Sequence, residues 1–167
     1  MTSPLATEPL NETHDRNAFR SGSDALDRYF REQVSQDIRR RVAGCFVAVD
    51  SAGRVSGSYT LAASSVTLDA LPESMTKRLP RYPVVPVVLV GRLAVAENQQ
   101  GRGLGSALIA DAILRIDQLK IGAFALIVDA KDDRARSFYE ANGFVALPGA
   151  PRRLCLPMQT AMQGVQR

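Results

Sequence analysis

Residues 87–105 read Val87-Val88-Leu89-Val90-Gly91-Arg92-Leu93-Ala94-Val95-Ala96-Glu97-Asn98-Gln99-Gln100-Gly101-Arg102-Gly103-Leu104-Gly105. The first nine positions are apolar almost throughout, which predicts a strand buried on both faces. The last six form a glycine-rich loop. Beyond them, apolar residues at 104, 107, 108, 112 and 119 keep a helical period, predicting a helix over 103–119. A strand that runs into a glycine loop and then a helix is a place to hold phosphates. The glycines let the backbone approach closely and expose several N–H groups, and the helix start adds the positive end of its dipole. Arg102 adds a charge and Ser106 a hydroxyl. Six residues with three glycines also suit a plain tight turn.

Two well-known phosphate loops do not fit. A P-loop needs Lys-Ser/Thr after its second glycine, and none follows here. A dinucleotide loop needs G-x-G-x-x-G; counted from Gly101, its last glycine falls on Ser106. What remains is Q-x-x-G-x-G, with Gln100, Gly103 and Gly105 in place.

Working outward, Ser23-Asp24 offers an N-cap, and Leu26, Phe30, Val34 and Ile38 recur every four residues, predicting one helix that ends in Arg39-Arg40-Arg41. Residues 1–22, with Pro4 and Pro9, read as irregular. Residues 45–50 (CFVAVD) and 54–62 (RVSGSYTLA) predict an antiparallel hairpin turning at Ser51-Ala52-Gly53. A short helix is expected over 72–78, and Pro83 and Pro86 are expected to delay the next strand to Val87. Residues 123–130 (AFALIVDA) predict a second buried strand. Asp132 and Gly143 bracket a helix over 132–142, and 144–147 and 152–158 predict two closing strands. The order implies an α/β fold with a mixed sheet, in a single domain over 1–167.

Bulk properties narrow the class. The chain has 167 residues, 46% hydrophobic and 23% charged, an ordinary globular balance. No long apolar run and no charged-then-apolar N-terminus predicts no membrane span and no signal peptide, hence a cytoplasmic protein. Cys45 and Cys155 sit in apolar, strand-like segments and read as reduced core residues, although their spacing leaves a disulfide open. One histidine, His14, and no Cys/His cluster argue against a zinc site, so no metal is expected. The formal charge is +4, and lysine occurs only at 77, 120 and 131, every other basic residue being arginine. Arginine forks suit phosphate and nucleic acid; an arginine-favouring base composition accounts for the same usage.

The downstream context gives the loop a meaning. Gly91-Arg92-Leu93-Ala94-Val95 precedes it, and Ala135-Arg136-Ser137-Phe138-Tyr139-Glu140-Ala141-Asn142-Gly143-Phe144 follows on a helix and turn. Together these residues resemble the GNAT acetyltransferases, whose landmarks are a strand ending in LAV, Q-x-x-G-x-G, and A-x-x-FY-x-x-x-GF. The resemblance implies a GNAT fold: a mixed, mostly antiparallel sheet with a central splay between two parallel strands, flanked by helices. It implies acetyl-CoA as donor, bound by Leu93, Ala94, Val95, Gln100, Gly101, Arg102, Gly103, Leu104, Gly105, Ser106, Ala135, Ser137 and Phe138. The pantetheine arm would pair with backbone groups of Leu93 and Val95 like an added strand.

The resemblance also implies that Tyr139 is catalytic. Acetyl transfer needs a neutral amine to attack a thioester and a donor for the departing sulfur. A phenol supplies the donor, and general-acid help is typically worth ~100- to 10,000-fold. The alternative is an aromatic that only packs beside Phe138. Glu97 follows the strand and is read as a solvated turn residue; no convincing general base is visible. An α-amine has a pKa near ~8, and an aminoacyl ester lowers it further, so such an amine is substantially neutral at cell pH without a base, unlike a lysine near ~10.4.

The rest of the chain resembles one branch of that family. Phe19-Arg20-Ser21-Gly22, Leu26-Asp27-Arg28-Tyr29-Phe30, Arg39-Arg40-Arg41, Cys45-Phe46-Val47-Ala48, Tyr59-Thr60-Leu61 and Pro83 to Pro86 are similar to the bacterial toxins that acetylate aminoacyl-tRNA. Ser21 stands where that branch often has cysteine, and Glu97 where it often has aspartate. The branch implies acetylation of the α-amine of aminoacyl-tRNA, which blocks translation, a homodimer, and silencing by a ribbon-helix-helix antitoxin. Arg39, Arg40, Arg41, Arg78, Arg81 and Arg92 are then the candidates for RNA contact, with Arg134, Arg136, Arg152 and Arg153 also available. A helix end whose cations offset its dipole explains Arg39–Arg41 equally well. An acetyltransferase for a small amine or a protein N-terminus shares the loop and Tyr139, but calls for acidic residues round a cationic acceptor, and few flank this site. A non-catalytic CoA-binding or DNA-regulatory partner is a third reading, against which the intact loop and Tyr139 argue.

Overall fold

The structure, a computed structural model, describes residues 6–165. Seven strands form one sheet: β1 (Thr7–Pro9), β2 (Gly44–Val49), β3 (Val55–Thr67), β4 (Val84–Val95), β5 (Ala125–Asp129), β6 (Val145–Leu147) and β7 (Ala150–Pro157), in the order β1-β2-β3-β4-β5-β7-β6. The helices are α1 (Asp24–Arg28), α2 (Val34–Arg39), α3 (Glu73–Thr76), α4 (Leu104–Leu119), α5 (Asp133–Ala141) and α6 (Met158–Val165). This is the α/β fold with a mixed sheet that the element order predicts, mostly antiparallel and flanked by helices as the family resemblance implies, and β4–β5 is its parallel pair. The chain divides into two compact units, Met1–Ala62 with Val90–Ala112, and Ala63–Leu89 with Ile113–Arg167. No helix among the described residues is long and apolar enough to cross a membrane.

In the first unit, β2 and β3 form the predicted antiparallel hairpin, from Gly44↔Leu61 to Val49↔Val55. Its turn is held by the Asp50 carboxylate, which accepts from the N–H groups of Ala52 and Arg54, both at 2.9 Å. Gly53 takes φ +80°, a conformation suited to glycine. β3 continues past the predicted end at Ala62 as far as Thr67. Ala63, Ser64 and Ser65 are exposed and show no apolar alternation, so nothing in their side chains marks the strand. β1 lies in the stretch expected to be irregular. Thr-Glu-Pro has no strand pattern, yet it pairs with β2 from Thr7↔Ala48 to Pro9↔Phe46. Proline is tolerated there because β1 is an edge strand. Pro4 lies outside the described residues.

The helix predicted after Ser23 is broken into three. Ser23 caps α1 as expected, its side chain accepting from Leu26 N–H at 3.3 Å. A π-helical turn, Tyr29–Gln33, then separates α1 from α2. The cause lies in the spacing of the apolar residues. Each four-residue step overshoots a full α-turn by ~40°, so a strict repeat of four drifts off the core. The wider π-turn takes up that drift. Phe30 and Val34 consequently stay buried against Phe19, Cys45 and Val47, with Leu26 and Ile38 packed alongside.

In the second unit, β4 and β5 pair in parallel at Val87↔Ala125, Val88↔Leu126 and Leu89↔Ile127. β4 begins at Val84 and carries Pro86 inside it, earlier than the expected start at Val87. Register with β5 begins only after Pro86, whose carbonyl accepts from Phe124 N–H at 2.9 Å; proline loses the donor and keeps the acceptor. Nor is β4 buried on both faces throughout. Val85, Val87, Val90 and Ala94 are buried, while Val84, Pro86 and Arg92 are exposed. β5 fits its prediction better: Ala125, Leu126, Ile127 and Val128 are all buried, as a strand between two neighbours requires. Little in the sequence marks α6, which holds Gly164 and has no acidic residue in its first turn and no basic one in its last. Cys45 and Cys155 are both buried and unbridged.

Candidate active site

The glycine loop is built by the strand before it. After β4, Ala96 N–H donates to Ser56 O at 2.9 Å and Glu97 N–H to Arg20 O at 2.8 Å. A short 3-10 turn, Glu97–Gln99, follows. Glu97 is exposed, as a turn residue is expected to be. Gln100 then directs its side chain back: Nε2 donates to Ser21 O at 2.7 Å and to Val95 O at 3.0 Å. Both amide hydrogens therefore have protein acceptors, and the side chain ties the loop's root to the segment before α1.

Gly101 and Gly103 both sit at positive φ, +79° and +81°, with nothing within 4 Å of where a Cβ would lie. Conformation, not crowding, requires glycine at these two positions, and the space above the loop is open. Ala107 N–H bonds to Gly103 O at 3.1 Å. The N–H groups of Leu104, Gly105 and Ser106 precede that bond and have no acceptor within α4. Arg102 and Ser106 are exposed beside them. The loop thus presents backbone donors, a helix start and a cation, a set that fits a pyrophosphate.

Two anchors of α4 carry no signal in the sequence. A Cβ on Gly57 would meet Leu108 Cδ1 at 2.9 Å and the Ala94 carbonyl at 3.2 Å, so glycine there lets helix and strands approach. Asp111 accepts from Thr7 Oγ1 at 2.6 Å and from the hydroxyl of the fully buried Tyr59. Only the tertiary packing reveals either residue's role.

Tyr139 belongs to the second unit, on α5. Asp132 caps this helix by accepting from Ala135 N–H at 2.8 Å, so the Ala135 amide is already engaged. Gly143 follows at φ +95°, as a helix stop requires. Tyr139 is buried, with its ring edge-on to Phe138 at 5.2 Å and to Phe144 at 5.5 Å. Burial, and secondarily the charge of Asp129, push its phenol up to about 12. The hydroxyl is therefore held in its protonated, hydrogen-donating form. Ser137 is exposed and Phe138 half-buried on the same helix.

The candidate arginines fall into two groups. Arg136 pairs with Glu140, Arg152 with Asp133, and Arg153 with Asp129 through two bonds at 2.8 and 3.0 Å. Arg39, Arg40, Arg41 and Arg92 in the first unit and Arg78 and Arg81 in the second are exposed, with no ion pair among the described residues. Arg92 instead stacks on an aromatic ring, its guanidinium carbon 4.2 Å from the centroid of Tyr29.

Comparison with known proteins bears on this arrangement. A family model described as "Acetyltransferase (GNAT) domain" matches residues 41–146. The tRNA-acetylating toxin of Mycobacterium tuberculosis is 38% identical over 163 residues, covering 96% of each chain. Among solved structures, AtaT complexed with acetyl-methionyl-tRNAfMet superposes with a TM-score of 0.86 at 29% identity, over 95% of this chain and 98% of that one. AtaTR bound with AcCoA superposes with a TM-score of 0.81 at 29% identity, over 96% and 97%.

Proposed function

The chain belongs to the GNAT acetyltransferase family, and from that premise we propose that it is the toxin of a type II toxin–antitoxin system. It transfers acetyl from acetyl-CoA to the α-amine of an amino acid esterified to tRNA. An acetylated amine cannot attack in peptide-bond formation, so translation stops. The observation that carries the acceptor is end-to-end similarity to a toxin that acetylates tRNA. The donor half is supported by the loop itself, with its two left-handed glycines, open space and first-turn N–H groups that have no acceptor within the helix.

Acetyl-CoA supplies an activated thioester carbonyl. The N–H groups of Gly101 to Ser106 and the Arg102 cation hold its pyrophosphate. Gln100 acts by fixing the loop's root, since its amide hydrogens already have acceptors. The last β4–β5 register pair is Leu89↔Ile127, while β4 continues to Val95; Leu93, Ala94 and Val95 there offer backbone groups to the pantetheine arm. Ala135, Ser137 and Phe138 on α5 are the further donor-binding residues that the family resemblance implies.

Tyr139 hydrogen-bonds the departing sulfur. With its phenol pushed up to about 12, against ~8.5 for an ordinary thiol, complete proton transfer from Tyr139 is unfavourable. Its role is to stabilise charge on sulfur, and the net proton comes from the attacking amine. An α-amine has a pKa near ~8, and the ester linkage to tRNA lowers it further, so that amine is substantially neutral at cell pH and no general base is required.

This reading includes a cytoplasmic homodimer, a ribbon-helix-helix antitoxin as partner, and RNA contact by Arg39, Arg40, Arg41, Arg78, Arg81 and Arg92. It treats residues 1–167 as a single acetyltransferase domain, since the boundaries between the compact units fall inside β3, β4 and α4. The test is incubation with radiolabelled acetyl-CoA and either charged or uncharged tRNA. Label on charged tRNA alone supports the reading. Label only on small amines or on protein N-termini overturns it and leaves a general acetyltransferase.

A further inference from the structure

Three non-glycine residues adopt left-handed backbone among the described residues: Arg41, Arg92 and Lys120. Arg41 and Lys120 lie just past the ends of α2 and α4, where a left-handed residue commonly closes the last turn. Arg92 has no such reason. It lies inside β4 at φ +51°, a conformation that disfavours any residue with a Cβ. Strain of this kind persists only where surrounding structure imposes it, and it gathers at functional sites.

The surroundings that impose it are visible. The Arg92 guanidinium stacks over Tyr29 at 4.2 Å. Tyr29 is buried, and its hydroxyl donates to Asp37 Oδ2 at 2.7 Å. Tyr29 is also the first residue of the π-helical turn, an irregularity frequent at functional sites. Stacking uses the face of the guanidinium and leaves its N–H edge available. Among the described residues Arg92 has no carboxylate partner, unlike Arg136, Arg152 and Arg153. The helix that supplies Asp37 ends in the exposed Arg39 and Arg40. Finally, Arg92 is the residue next to Leu93, whose backbone faces the donor arm in the proposed reaction. An oriented fork beside the reacting strand suits one ligand chemistry, a phosphate held by two parallel bonds.

Resting on the aminoacyl-tRNA reading, we propose that Arg92 clamps one phosphodiester of the acceptor RNA, and that Tyr29 and Asp37 are positioning residues that aim it. The phosphates of acetyl-CoA are the other source of the same chemistry, and steady-state kinetics separates the two. The variants are Arg92→Gln, Arg92→Gly, which suits the backbone conformation while removing the charge, and Tyr29→Phe, which keeps the ring and loses the bond to Asp37.

Both Arg92 variants are expected to raise KM for charged tRNA roughly tenfold, as removal of a bidentate charged pair implies, with KM for acetyl-CoA held within about twofold. The slope of log kcat/KM against log salt should become shallower by about 0.7–0.9, as expected when one phosphate is no longer neutralised by the protein. Tyr29→Phe should raise the same KM by about threefold and leave the salt slope unchanged, because the charge remains. An unchanged tRNA KM and salt slope in both Arg92 variants overturns the clamp, as does a rise confined to acetyl-CoA. If the unmutated protein acetylates no charged tRNA, the functional reading itself fails. The clamp is then decided by the salt dependence of uncharged-tRNA binding, where an equal slope for Arg92→Gln and the unmutated protein rejects it.

Discussion

The side-chain amide of Gln100 donates to the carbonyl oxygen of Ser21 at 2.7 Å, and the same nitrogen reaches Val95 O at 3.0 Å. The first residue of the glycine loop thus grips the segment before α1 and the end of β4 together. Each bond is worth about 0.5–1.5 kcal/mol. Gln100→Ala should free the loop's root, raise KM for acetyl-CoA roughly tenfold and lower the urea midpoint, with kcat little changed. Initial-rate kinetics over a range of acetyl-CoA checks this, and an unaltered KM would show that the loop holds its shape without the amide's grip.

Gly57 and Gly103 require glycine for different physical reasons, and their alanine variants should separate. At Gly57 the obstacle is space, with Leu108 and the Ala94 carbonyl in the way. Gly57→Ala should lower the urea midpoint, by about 1–3 kcal/mol of stability, while KM for acetyl-CoA holds. At Gly103 the obstacle is φ +81° alone, costing about 1–2 kcal/mol. Gly103→Ala should relax the loop and raise KM for acetyl-CoA. The same change in both observables for both variants would contradict the distinction.

Asp111 joins α4 to β1 and β3 through Thr7 and Tyr59. Asp111→Ala removes a charged acceptor shared by the Tyr59 and Thr7 hydroxyls, and a hydrogen bond to a charged group is worth about 1.5–3 kcal/mol. Urea unfolding should show a lower midpoint with the m-value unchanged. Tyr59→Phe removes the donor as well and should cost less than Asp111→Ala; the opposite order would mean that another interaction of Tyr59 dominates.

These residues also show how far the sequence could be read. β5, α5 and the β2–β3 hairpin are legible because apolar runs, Asp132, Gly53 and Gly143 mark them directly. β1 is not, because a three-residue edge strand is made by its partner and not by its own pattern. The π-turn is half legible: Leu26, Phe30, Val34 and Ile38 are spaced by four where an α-helix needs 3.6, and that excess is the trace of the wider turn. In the candidate site, the glycines of the loop and Tyr139 stand out by motif. The amide grip of Gln100, the close approach at Gly57 and the left-handed Arg92 depend on residues distant in the chain, so no local spacing could expose them.

Alkaline pH should unfold the protein through its buried acids. Burial pushes the Cys45 and Cys155 thiols from 9.0 up to about 12 and the Tyr139 phenol from 10.0 up to about 12, and Tyr29 is raised further. Between those values the unfolded chain has lost these protons while the folded chain keeps them, so stability falls as pH rises. The contribution is complete below about 9 and is lost progressively toward about 12. Urea midpoints should hold level up to about pH 9 and decline from there toward about 12; a flat profile across that window would contradict the burial of the thiols. Activity should rise through the pKa of the substrate amine, near or below ~8, with no fall assignable to Tyr139 until about 12.

The central claim is that acetyl goes to the α-amine of an amino acid on tRNA, with Tyr139 assisting the departing sulfur. The most direct measurement is mass spectrometry of the aminoacyl-adenosine released by ribonuclease after charged tRNA has reacted with acetyl-CoA and the protein. One acetyl group is expected on the α-amine with the unmutated chain, and formation slowed ~100- to 1,000-fold with Tyr139→Phe, as loss of one hydrogen-bond donor to developing charge implies. Unmodified aminoacyl-adenosine, with the acetyl group recovered on a small amine or a protein N-terminus, would contradict it.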